Sequence, residues 1–154
     1  MSAAVDDGRV LTIARSFRAS PSQVYAAWTD PEALPRWFGP DDHACRTHAI
    51  DVRVGGEWRF TMTGDGRDWP NRHRWTALVP PEEGRAGRIE FLMDGVDGDE
   101  PKRVVVTLEP EGTGTRLTQR MTFPSVEAAD FARSYDAEAK GGETLTKLAR
   151  HLGE

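Results

Sequence analysis

Cysteine is almost missing from this chain of 154 residues: Cys45 stands alone, so no internal disulfide can staple the fold. No apolar run approaches the roughly 20 residues that cross a bilayer. Nor does a charged-then-apolar leader open the chain, so a reducing, cytoplasmic setting without membrane insertion is expected. A basic excess is missing too. Twenty Lys and Arg face 25 Asp and Glu for a net charge of −5, which argues against nucleic acid, whose binding rests largely on phosphate neutralisation. The familiar catalytic signatures are equally scarce. There is no G-x-S-x-G elbow, and the glycine pair of Gly64-Asp65-Gly66 flanks an acid that would repel phosphate, so it reads as a hairpin turn.

What the chain does have is aromatic bulk, with five tryptophans and six phenylalanines, and a length suited to one core. No low-complexity stretch, repeat or composition shift marks a boundary. One domain over residues 10–154, after a flexible tail at 1–9, is therefore expected.

Val10 to Phe17 alternates β-branched and apolar residues and predicts a strand. Ser20-Pro21-Ser22-Gln23 then supplies a capping hydroxyl, a proline at the first helical position and a glutamine at the third, predicting a helix from about Pro21 to Trp28. Asp30-Pro31-Glu32 repeats the device for a second short helix carrying Leu34, Trp37 and Phe38, stopped by Gly39-Pro40.

From there the period is two. Residues 43–53, 56–63, 73–79, 87–93, 102–110 and 114–123 read as strands. They are parted by turn signals at Gly55-Gly56, Gly64 to Gly66, Pro80-Pro81, Gly95 to Asp99 and Gly112 to Gly114. Short connections favour an antiparallel meander. After Pro124-Ser125 the spacing of Phe131, Tyr135, Leu145, Leu148 and Leu152 predicts a short helix and then a longer one from about Tyr135 to Leu152. Gly141-Gly142 inside it costs about 1 kcal/mol per residue relative to alanine; close approach to the sheet or room for a ligand would compensate, and a simple surface kink is the alternative.

Alternation sorts the faces. Trp58, Phe60 and Met62 share one side, as do Ile89, Phe91 and Met93, and Leu117, Met121 and Phe123, whereas Arg59, Thr61, Glu90, Arg116, Thr118 and Arg120 fall on the other. Trp75 lies on the same stretch of meander, and Trp28, Trp37 and Phe38 lie near the helix ends as core anchors or a cavity mouth. Gln119 and His48 keep phase with inward residues and are the polar candidates for a cavity lining, with Tyr135 on the closing helix.

Other polar groups carry less. His43, His48 and Asp51 are close in sequence, but on a strand the two imidazoles point to opposite sides, so no metal site is assigned. Cys45 lacks an adjacent base or helix N-terminus and reads as a packed thiol. The Arg72-His73-Arg74 cluster, with Arg67 and Arg46, suits either an anionic head group or a solvated strand face.

The segments SPSQVYAAWTDPEALPRWFGP (20–40), DVRVGGEWRFTM (51–62), TRLTQRMTF (115–123) and ETLTKLARHL (143–152) together resemble the START-like (SRPBCC, helix-grip) superfamily. Within it they resemble the bacterial homologues of the heat-shock chaperone ATPase activator. The resemblance covers nearly the whole chain from Val10. It implies an α+β helix-grip fold, a curved antiparallel sheet of about seven strands around a long C-terminal helix, with a hydrophobic tunnel between them. The segment GDGRDWPNRHRW (64–75) departs from the tyrosine-and-glycine pattern usual there.

The function then expected is non-catalytic binding of a small hydrophobic ligand, a lipid or an aromatic compound, in an internal cavity, with no cofactor and no catalytic residue. A cyclase, aromatase or hydrolase using Gln119, His48 or Tyr135 is one alternative. A co-chaperone docking on a chaperone ATPase is the other, and a homodimer is left open.

Overall fold

The computed structural model describes residues 7–94 and 100–154. Among them, strands β1 (Val10–Phe17), β2 (Ala44–Ile50), β3 (Glu57–Gly64), β4 (Arg67–Val79), β5 (Gly87–Met93), β6 (Lys102–Glu111) and β7 (Gly114–Thr122) form one sheet. Four helices accompany it: α1 (Pro21–Thr29), α2 (Leu34–Trp37), α3 (Val126–Ser134) and α4 (Ala137–His151). Every strand pair is antiparallel, in the order β1-β7-β6-β5-β4-β3-β2. The meander therefore runs from β2 to β7, and the first strand closes beside the last. This is the helix-grip arrangement, with α4 laid against the sheet.

Local chemistry explains the element ends. The Ser20 hydroxyl accepts from the Gln23 amide at 3.3 Å while the Gln23 side chain accepts from the Ser20 amide at 2.9 Å, a reciprocal cap that starts α1. Ser125 likewise caps α3 through the Ala128 amide at 3.0 Å. The second helix begins later than its signal, at Leu34, because Asp30 spends its carboxylate on the Glu32 amide in a local turn. The final helix also begins later, at Ala137. The Ser134 hydroxyl donates to the Phe131 carbonyl and caps nothing, and Asp136, at φ 56°, makes a sharp joint between α3 and α4.

One strand is longer than its sequence pattern. Asp68, Pro70 and Asn71 are poor strand formers, so the pattern starts at 73, yet β4 runs from Arg67 and pairs Thr61 with Pro70. Proline is tolerated there because β5 pairs only with His73 to Val79, leaving the Pro70 stretch bonded to β3 alone.

The core lies between the sheet and the helices. Phe17, Val24, Trp28, Trp37, Trp58, Phe60, Ile89, Val104, Leu117, Leu145 and Leu148 belong to one continuous buried cluster. Fully burying one such side chain stabilises by about 1.5–3 kcal/mol. A second, smaller cluster of Leu11, Phe123 and Ala129 seats α3 through alanines. At the chain's start, residues 1–6 of the expected tail lie outside the described residues, as does the turn expected at Gly95 to Asp99. By Gly8 the backbone is held: Arg133 donates to the Gly8 carbonyl at 3.0 Å, and the Phe123 amide donates to that of Arg9 at 2.8 Å. No helix among the described residues is long and apolar enough to cross a membrane.

Candidate functional site

Most of the residues expected to line a cavity fill it instead. Trp28, Trp37, Trp58, Phe60, Trp75, Ile89, Phe91 and Leu117 are buried, and they pack with one another and with Leu145, Leu148 and Ala149. Trp58 and Phe60 stack with centroids 3.7 Å apart, and Trp28 meets Trp37 edge-on at 4.7 Å. Phe38, Met93 and Met121 pack around this cluster half-buried.

The open space is displaced to one end of the sheet. A cleft of about 760 Å³ lies between the β3–β4 hairpin and the helices α3 and α4, open to solvent. Met62 and Trp69 form its sheet wall, Phe131 and Tyr135 its helix wall, and Pro40 and His43 part of its rim. Of the residues anticipated as lining, Met62 and Tyr135 reach it.

Each wall has a local cause. Phe131 and Tyr135, the residue that caps the end of α3, are four residues apart, so they fall on one side of it and meet edge-on at 4.8 Å, although they remain 64% and 56% exposed. The alanine side of α3 takes the packed position. Trp69 stacks on His43 at 5.5 Å, and the His43 Nδ1–H donates to the Asp41 carbonyl at 2.9 Å. Helix α4 fixes this loop: Lys147 donates to the carbonyls of Pro40 and His43 at 3.3 and 3.1 Å, and Glu143 accepts from the Asp41 amide at 3.0 Å.

Charge in the cleft is inverted relative to the chain. Arg67, Lys102 and Lys140 stand against Asp65, three cations to one carboxylate, in a protein of net charge −5. Lys102 opens the inward alternation Lys102, Val104, Val106, Leu108, and its ammonium lies 5.4 Å from the centroid of the Phe123 ring. Burial lowers its pKa.

Beside this cleft, His73 is the buried polar residue that sequence reasoning passed over. Its neighbours Arg72 and Arg74 point outward and pair with Asp94, and Arg72 also reaches Glu57 at 3.6 Å, so these two arginines form an ion-paired outer face while Arg67 of the same expected cluster lines the cleft. His73 alternates inward. The rings of Phe38, Trp58, Phe60 and Phe91 surround it at 4.9 to 5.3 Å, and its Nε2 has no hydrogen-bond partner. Burial, reinforced by the charge of Lys102, pushes its pKa down to about 3, so the imidazole is neutral. Alternation from the inward Trp75, two residues further along the same predicted strand, would have found it.

The two polar residues expected inside behave differently. His48 is bonded at 2.7 Å to the hydroxyl of Thr61, which alternates with inward Phe60 and Met62, so this imidazole faces away from the interior. The cause is a β-bulge between Thr47 and Ala49, which shifts the alternation by one residue. Gln119 keeps its inward register between Ile13 and Val106, half-buried, and does not touch the cleft. Arg46 pairs in register with Thr61 on the outer side.

The architecture has many known counterparts. A protein of Nitrosomonas europaea superposes with a TM-score of 0.81 at 22% identity, with 98% of each chain covered. One of Chromobacterium violaceum gives 0.76 at 26% identity, covering 92% of this chain and 95% of that one. The AHSA1 protein of Silicibacter pomeroyi gives 0.70 at 21% identity over 94% and 97%. No curated relative matches. The family described as "Activator of Hsp90 ATPase homolog 1-like protein" matches residues 18–153, nearly the full length, and the chain accordingly belongs to that family within the START-like superfamily.

Proposed function

We propose that this protein binds a small hydrophobic molecule, a lipid or an aromatic compound, in the cleft beneath α3, working in the cytoplasm and without transforming its ligand. The observation that carries this reading is the exposed aromatic pair Phe131 and Tyr135 facing Met62 and Trp69 across open space. Apolar surface of this kind is normally covered, and each 100 Å² removed from water is worth about 2.5 kcal/mol. Against a reaction, the cleft brings no nucleophile together with an oriented base among the described residues.

The test is native mass spectrometry of protein purified from cells, followed by titration of tryptophan fluorescence with fatty acids, fatty alcohols and naphthalene derivatives. Phe131→Ala and Tyr135→Ala are expected to weaken binding roughly five- to tenfold each while leaving the melting temperature nearly unchanged. No binding of any of these probes at millimolar concentration overturns the reading.

The same exposed pair favours one other occupant, a chaperone, given the family description. In that case excess protein accelerates an Hsp90 ATPase and Phe131→Ala abolishes the effect. An unchanged rate removes this alternative.

A further inference from the structure

A row of inward residues crosses five strands in register: Ile50, Trp58, His73, Met93 and Lys102. Four of them are apolar or neutral. The fifth is a lysine on the apolar face of the sheet, at the point where the row reaches the cleft. Among the described residues the Lys102 ammonium has no carboxylate partner and no hydrogen bond, and the face of Phe123 lies beside it. Asp94 is engaged by Arg72 and Arg74, and Asp65 lies 3.8 Å from His43.

An ammonium held on an apolar face without a counter-ion is costly, since burial disfavours the charged form. A ring face offsets only part of that. Lys102 Nζ is not among the buried unpartnered polar atoms, so its stem lies along apolar surface while its head meets water at the open side of the cleft. Its position inside a cleft where cations outnumber acids indicates that the missing counter-charge arrives with the occupant.

We infer that the ligand of this cleft is an amphipathic carboxylate, whose apolar body lies between Met62, Trp69, Phe131 and Tyr135 and whose carboxylate pairs with Lys102. This rests on the binding function proposed above and names its ligand class. A fatty acid and an aromatic acid present the same two chemistries, an apolar body and one carboxylate. Arg67 and Lys140, both lining the same cleft, attract the anion without being its seat.

Matched probes test it: decanoate against 1-decanol, and 2-naphthoate against 2-naphthalenemethanol, each titrated at pH 7 into the wild type, Lys102→Met and Lys102→Arg. The wild type should bind at least one carboxylate ten times or more tighter than its alcohol. Whichever pair shows the larger preference identifies the body as aliphatic or aromatic. Lys102→Met should abolish the preference, read as the ratio of acid to alcohol affinity within the variant, and Lys102→Arg should retain it. Equal binding of acid and alcohol by the wild type overturns the inference and leaves hydrophobic binding standing, and this comparison needs no variant. A preference that survives in Lys102→Met also overturns it. Failure of all four probes to bind overturns both.

Discussion

His73 lies stacked on Phe91, ring centroids 4.9 Å apart and planes inclined by 21°, so a titratable group sits in the most apolar part of the core. Phe38, Trp58 and Phe60 stand at steep angles around it and its buried Nε2 has no hydrogen-bond partner, surroundings that suit a neutral imidazole and not a cation among carbon.

Acid sensitivity follows from that placement. The folded-state pKa of about 3 is below the ordinary 6.5, so between those pH values the unfolded chain binds a proton that the folded chain does not. Stability should therefore fall with acidification by about 1.4 kcal/mol per pH unit from this residue alone. Urea denaturation of the wild type and His73→Leu across pH 7 to 4 checks it. The variant is expected to lose about that much slope, and parallel curves would contradict the assignment.

The two glycines of α4 should part company under substitution. A β-carbon on Gly141 would lie 2.8 Å from Cδ1 of Ile13, whereas one on Gly142 meets nothing within 4 Å and faces the shallow groove beside Arg15. Gly142→Ala is expected to stabilise by about 0.5–1 kcal/mol, or roughly 1–4 °C, through helix propensity alone. Gly141→Ala should gain less or lose. Pairing it with Ile13→Val, which removes the offending methyl, should recover the difference in a double-mutant cycle read by thermal melting.

Cys45 should be inert in the folded protein. Its thiol donates to the Phe38 carbonyl at 3.3 Å, and burial pushes its pKa up to about 12 despite the opposing charge of Lys147. At pH 8 its reaction with a disulfide reagent is expected to be slower than in the urea-unfolded chain by roughly a thousandfold, the ratio of thiolate fractions. Comparable rates would show that the site opens freely.

These outcomes divide along the line between local and long-range physics. The strand alternation, the reciprocal cap of Ser20 and Gln23, and the turns are properties of neighbouring residues, so they were legible in the chain itself. The inward assignment of Trp58, Phe60, Ile89, Phe91 and Leu117 also followed from period two. His48 escaped because a bulge inserts one residue into β2, and His73 because its two flanking arginines made it read as part of a basic surface cluster.

The cleft was not legible at all. Pattern identifies which face is apolar, and it cannot say whether helices fill that face completely or stop short of one end. Here α4 packs Leu145 and Leu148 onto the sheet, α3 seats on its alanines, and the space between them falls beside Met62 and Trp69. Sequence alone therefore determined the fold and the inward face, because period and capping act over a few residues. Tertiary structure decided where the sheet is left uncovered and, among the described residues, placed Lys102 there beside a ring face and no carboxylate, because both depend on elements brought together from distant parts of the chain.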